Sequence, residues 1–171
     1  MTPASITHDD RHGGSSPPSP RTFASPGEAL SDIAGVVRRA VPLAGVYLRG
    51  DLDPELRERV MVAVSHTNAC RGCSLVHERW AIRAGVSDDE LESIGLGDLA
   101  SLSARSRAAV LYATAAAEAR FQQPMPTEVA AYAGEHLTSS ELAAVDAIAR
   151  AMSLANLSAS TSEALLARVS G

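Results

Sequence analysis

Residues 58–77 read Glu58-Arg59-Val60-Met61-Val62-Ala63-Val64-Ser65-His66-Thr67-Asn68-Ala69-Cys70-Arg71-Gly72-Cys73-Ser74-Leu75-Val76-His77. The stretch holds both cysteines of the chain and two of its five histidines. Its reading turns on whether it is one helix or two. As one unbroken helix, at about 100° per residue, it puts His66, Cys70, Cys73 and His77 on a single stripe. Four such donors suggest zinc. Over that span, however, a helix rises roughly 16 Å, whereas tetrahedral zinc needs every donor atom about 2.0–2.3 Å from one point. Neighbouring pairs can chelate, but the full set cannot without a break. The alternative is a break at Thr67-Asn68, with Asn68 as the N-cap of a new helix whose first turns carry Cys70 and Cys73.

The broken reading has chemical consequences. A free thiol is mostly protonated at neutral pH. Making the thiolate the major form asks for about 2.7 kcal/mol of differential stabilisation. A helix N-terminus supplies about 0.3–1 kcal/mol, and up to ~2 when partly buried. An imidazole or proton relay must provide the rest, and His77 lies one turn beyond Cys73 on the same face. Residues at i and i+3 of a helical turn have Cα atoms about 5–6 Å apart, within the range that a disulfide spans. Such a pair suits peroxide reduction, one thiolate becoming a sulfenic acid and the other resolving it. Read without that chemistry, buried cysteines are small hydrophobes.

Outward from this stretch the signals are helical. Asp53-Pro54 is a helix start, with an N-cap acceptor before a proline at the first helical position, and Leu56, Val60 and Val64 mark one face. Upstream, Ile33, Val36, Val37 and Val41 keep a helical period that Pro42 is expected to end. Ser87-Asp88-Asp89-Glu90 and Thr138-Ser139-Ser140-Glu141 are capping boxes. The second opens a helix with Leu142, Val145, Ile148 and Met152 on one side, and a separate short helix is expected around Glu163–Val169. Ser103 to Phe121 is an Ala-rich helix closing at Gln-Gln-Pro. No alternating strand pattern occurs, so the expectation is an all-α bundle of about six or seven helices. Residues 1–26, rich in Pro, Ser and Gly, read as a disordered leader holding His8 and His12, and residues 27–171 as a single helical domain.

Composition narrows the function. Hydrophobic residues make up 46% but aromatics only 4%, so the core is built from Ala, Val, Leu and Ile, which favours close helix packing. All 15 basic residues are Arg, against 20 acidic ones, for a net charge of −5. That balance argues against nucleic-acid binding. No stretch reaches the roughly 18 consecutive apolar residues of a membrane helix, and the N-terminus lacks the pattern of a secretory signal. A cytoplasmic protein without a membrane partner is expected, in which a close cysteine pair serves redox or metal chemistry.

Two resemblances attach to these residues. His66-x3-Cys70-x2-Cys73 resembles the zinc motif of zinc-containing anti-sigma factors, which makes a zinc-binding regulatory module one alternative. Glu58, Ser65-x-x-Asn68-x-Cys70-x-x-Cys73-x-x-x-His77 resembles the alkylhydroperoxidase D-like branch of the carboxymuconolactone decarboxylase family, most strongly over about Asp53–Ala84. The decarboxylases of that family lack the cysteine pair. This second resemblance implies an all-α fold assembling as a homotrimer or homohexamer, with the site near a subunit interface. It implies Cys73 as the peroxide-attacking thiol, Cys70 as the resolving thiol, and His77 with Glu58 as the proton relay.

The same resemblance implies a hydroperoxide substrate, no cofactor, and re-reduction by a dithiol reductant such as a lipoyl-bearing protein. Well-studied members carry a histidine just before the second cysteine, where this chain has Gly72, and His66 is the candidate to stand in. The remaining alternative is an enzyme of the same fold acting on another small molecule. Trp80 reads as core or subunit interface, and Arg71 as an exposed side chain within reach of the thiols.

Overall fold

The computed structural model describes residues 18–170. Among the described residues there are eight helices and no strands: α1 (Pro26–Val37), α2 (Ala40–Leu48), α3 (Pro54–Thr67), α4 (Arg71–Ala84), α5 (Asp88–Leu96), α6 (Ala104–Glu118), α7 (Thr127–His136) and α8 (Ser139–Val169). His8 and His12 lie outside the described residues.

Local chemistry sets most of the boundaries. Asp53 caps α3, its carboxylate accepting from the Leu56 amide at 2.8 Å, with Pro54 first in the helix. Ser87 and Thr138 each form the reciprocal capping box with Glu90 and Glu141. Gly85 ends α4 at φ 109°, a conformation a side chain would strain, and an added Cβ there would also meet Glu55 Oε1 at 3.1 Å.

Four expectations change. The α1 run stops at Val37, and Pro42 lies in the first turn of α2 instead of ending a helix; proline is tolerated there because a first-turn amide has no intrahelical acceptor to lose. No break precedes Glu163, since α8 runs unbroken to Val169. Helix α7 is an addition, opened by Pro126 without a side-chain cap and burying only Ala133. Among the described residues the helix count is therefore eight instead of six or seven.

Helix α3 runs through the middle of the bundle and is buried on two faces. Leu56, Val60 and Val64 pack with Ala108, Ala109 and Ala113 of α6 and Ala144, Val145, Ile148 and Ala149 of α8. Val62 and Ala63 face the other way, onto Ala81, Val86, Leu91, Ile94 and Val110. Small alanine side chains line the contacts of α3 with α6 and α8, in keeping with a chain whose aromatics are only 4%. Residues 18–25 carry no helix but are tied to the bundle. The Arg21 amide donates to the Asn68 carbonyl at 3.0 Å. The Arg21 guanidinium caps the end of α6 at the Ala117 and Glu118 carbonyls, both at 3.0 Å, and the Phe23 amide donates to Thr161 Oγ1 at 3.0 Å.

Candidate active site at the α3–α4 turn

The helix does break where the sequence asks it to, but by a different device. Asn68 is the C-cap of α3, and Ala69 follows in the left-handed region at φ 52°. The Cys70 amide donates back to the Ser65 carbonyl at 3.0 Å and the Ala69 amide to the His66 carbonyl at 2.9 Å. This paired pattern closes a helix through one left-handed residue. The expected role of Asn68 as N-cap of the next helix is therefore corrected. Its side chain instead turns inward, donating from Nδ2 to Ser153 Oγ of α8 at 3.2 Å. A second polar link, Asn156 Nδ2 to Ser65 Oγ at 3.4 Å, runs beside it. Both lie in the buried seam between α3 and α8 and fix the turn from behind.

Cys70 is itself the N-cap of α4 and makes no side-chain cap hydrogen bond. The first-turn amides of α4 thus have no side-chain acceptor competing with a thiolate at this end. Cys73 lies in that first turn. Cys70 and Cys73 are joined as a disulfide with Cα atoms 5.3 Å apart. Cys70 is buried, and Cys73 packs half-buried against the main core.

His77, one turn further along α4, meets Glu58 of α3, its Nδ1 3.1 Å from Glu58 Oε2. Glu58 is only 1% exposed, so it is not the solvated helix carboxylate that its position on a polar-looking stretch would allow. Its other oxygen accepts from Arg57 Nε at 3.0 Å, and the Arg57 guanidinium in turn lies over the Tyr47 ring at 5.4 Å. Because a carboxylate only accepts, Nδ1 of His77 carries the hydrogen, leaving Nε2 to take or give a proton. Trp80, half exposed, packs in a T-shaped arrangement with the His77 ring, the ring centroids 5.9 Å apart. Beside the pair a cavity of about 280 Å3 is lined by Pro54, Arg57, Glu58, Trp80, Arg83 and Ala84.

His66 goes elsewhere. Its Nε2 pairs with Glu78 Oε1 at 3.0 Å, each side chain about one-third exposed, and its ring packs beside Gly95 of α5. The structure thus joins Glu58 to His77 and Cys70 to Cys73, and gives His66 a separate carboxylate. The four-donor stripe of an unbroken helix is gone. Among the described residues, no group of three or more His, Cys, Asp and Glu side chains is arranged to hold a metal ion. His136, the remaining described histidine, stacks edge-on against Tyr132 at 4.4 Å. Arg71 is exposed, as expected.

Sequence reasoning missed Arg57 as the second partner of Glu58, Glu78 as the partner of His66, and the seam of Ser65, Asn68, Ser153 and Asn156. Arg57 is adjacent to Glu58 in the chain, which is a usable signal. The seam joins residues 85 and 91 positions apart and leaves no local trace.

Residues 36–118 match the model of the carboxymuconolactone decarboxylase family. The matched span runs from near the end of α1 to the end of α6 and contains Glu58, Cys70, Cys73 and His77. A search of the curated proteins finds no match. Among the described residues no helix is long and apolar enough to cross a membrane.

Proposed function

We propose that the protein is a thiol-dependent peroxidase of the alkylhydroperoxidase D-like kind, reducing alkyl hydroperoxides in an antioxidant role. The observation that carries this reading is a buried carboxylate holding an imidazole one helical turn from a cysteine pair at a helix N-terminus.

In the reduced protein, His77 Nε2 takes the thiol proton and Glu58 stabilises the resulting imidazolium through Nδ1. The Cys73 thiolate attacks the distal peroxide oxygen. The O–O bond breaks, the alkoxide leaves as an alcohol with a proton from the relay, and Cys73 becomes a sulfenic acid. Cys70 then attacks that sulfur, forming the disulfide and releasing water. The cycle closes when a dithiol returns two electrons and two protons, and a lipoyl-bearing protein fits that requirement. Helix α4 exposes Leu75, Val76, Trp80 and Ile82, and burying such a face supports a homotrimer or homohexamer with the site near the interface.

The test is consumption of cumene hydroperoxide by the full chain with dihydrolipoamide as reductant. Turnover that disappears in Cys73→Ser supports the proposal. For Cys70→Ser, the expected result is a single oxidation of Cys73 without disulfide formation, read by mass. No turnover with cumene, tert-butyl or hydrogen peroxide, with the cysteines shown to be reduced, would overturn the proposal in favour of another small-molecule reaction on the same fold.

A further inference from the structure

A second cavity, of about 440 Å3, opens between the end of α6, the loop that follows it and α8. It shares no lining residue with the cysteine site. Its polar wall is built around Asp146 of α8. One carboxylate oxygen, Oδ2, accepts from Nε of Arg39 and from Nε of Arg150, the latter at 3.3 Å. The other, Oδ1, accepts from the Tyr112 hydroxyl at 3.3 Å. Burial first, and then the Asp146 charge, push the Tyr112 phenol up to about 12, so it remains a neutral donor.

The apolar wall is placed by backbone geometry. In the turn that follows α6, Arg120 and Phe121 are both at positive φ, 51° and 56°. Bulky residues rarely occupy that region unless the surroundings hold them there. The Phe121 amide donates back to the Ala116 carbonyl at 2.9 Å, and the turn lays the Phe121 ring over the Arg150 guanidinium at 4.4 Å. Leu142 of α8 lines the same space.

Two guanidiniums share the one carboxylate that lines the cavity. Asp32 of α1 feels Arg150 electrostatically but is not among the residues lining the cavity. Asp146 occupies both Nε atoms, and Arg39 Nη1 reaches the Gly35 carbonyl at 3.3 Å. Arg39 Nη2 and both terminal nitrogens of Arg150 have no acceptor among the described residues. Asp146 thus holds two mutually repelling guanidiniums side by side, with donors left over beside an aromatic surface.

We propose that this cavity binds a small organic monocarboxylate with an aromatic or apolar body. The ligand carboxylate accepts from the remaining Arg39 and Arg150 donors, which suit its planar geometry. The body packs on Phe121, Tyr112 and Leu142. A volume of this size falls within the range of ordinary ligand sites. The site is independent of the cysteine chemistry and stands whether or not the peroxidase proposal does.

The probe is 2-naphthoate against its neutral isostere 2-naphthamide, titrated by calorimetry into the full chain. Naphthoate is expected to bind at least tenfold tighter than the amide, and to do so equally in a Cys70→Ser/Cys73→Ser double variant. Arg150→Gln is expected to weaken naphthoate at least tenfold, and Leu142→Trp, which fills the cavity, to abolish binding. Equal affinity for acid and amide, no binding of either, or loss of binding in the cysteine variant would each overturn the proposal. The acid–amide comparison uses the unmodified protein, so its outcome does not depend on either cavity variant folding.

Discussion

Glu58 and Glu78 face histidine nitrogens at nearly equal distances, 3.1 and 3.0 Å, yet they sit in different media. The Glu58 side chain is 2% exposed and its histidine 15%, whereas Glu78 and His66 are 33% and 34% exposed. Water and salt screen the second pair, and such surface pairs contribute about 0–1 kcal/mol. The first is held dry and also satisfies Arg57. Glu58→Gln is therefore expected to lower the peroxide rate at least tenfold. It should also cost about 1–3 kcal/mol of stability, read by urea unfolding, because a buried acceptor for two donors is weakened. Glu78→Gln should leave the rate within about twofold and shift the unfolding midpoint little. Equal losses of rate in the two variants would place the relay wrongly.

At the scale of elements, the helix ends make the most testable features. Ala69 occupies a left-handed C-terminal position usually given to glycine, and Gly85 occupies another. Ala69→Gly is expected to stabilise the chain slightly, by less than about 1 kcal/mol, as relieved strain offsets the added freedom of the unfolded state. Gly85→Ala should destabilise it by about 1–2 kcal/mol. Thermal unfolding of the two variants checks both signs.

The caps also respond to acid. Burial works against ionisation of Asp53, but the Leu56 amide and Arg105 outweigh it and hold the carboxyl below the ordinary range. Glu141 is likewise lowered, against burial, by Thr138 and Arg105, and Glu28, against burial, by the Ala24 amide and Arg120. Arg105 ties the start of α3 to the start of α8, reaching Asp53 and Glu141 at 2.6 Å each. Carboxyls depressed in the folded state add stability that is complete above their unfolded values near ~4 and lost as pH falls through the lower folded ones. The melting temperature should therefore drop below about pH 4. Asp53→Asn, which keeps the capping acceptor and removes the charge, should make that drop shallower.

Legibility in the sequence followed the range of the interactions. Asp53, Ser87 and Thr138 announce their helices because a cap is written within four residues. The break before Cys70 was legible because a continuous helix could not serve the donors it carried. The identity of its stop was not, since Asn68 satisfies a Ser153 far along the chain and leaves the left-handed position to an alanine. The α7 helix escaped because it buries only Ala133 and has no capping side chain. The arginine-lined cavity escaped because Arg39, Tyr112 and Asp146 meet only in three dimensions.

For the whole molecule, the double burial of α3 sets the energetic scale. Leu56, fully buried between α3, α6 and α8, should cost about 2–5 kcal/mol on truncation to Ala, with unfolding remaining a single transition by circular dichroism. Ala109→Leu, which inserts volume at a fully buried alanine of α6, should cost about 1–3 kcal/mol. A smaller loss at Leu56 than at exposed Leu48 would contradict this account of the core.

Helix α8 carries Asp146 and Arg150, then Ser153 and Asn156, then Thr161, on one uninterrupted rod. Their spacing is fixed by the rise of about 1.5 Å per residue, and their bearing by phase. Inserting a single residue between Arg150 and Ser153 would swing one group through about 100° relative to the other. Seven inserted residues would restore the bearing to within about 20° but would part the groups by roughly 10 Å, so this stretch of α8 accepts exchange of its other side chains far more readily than any change in its length.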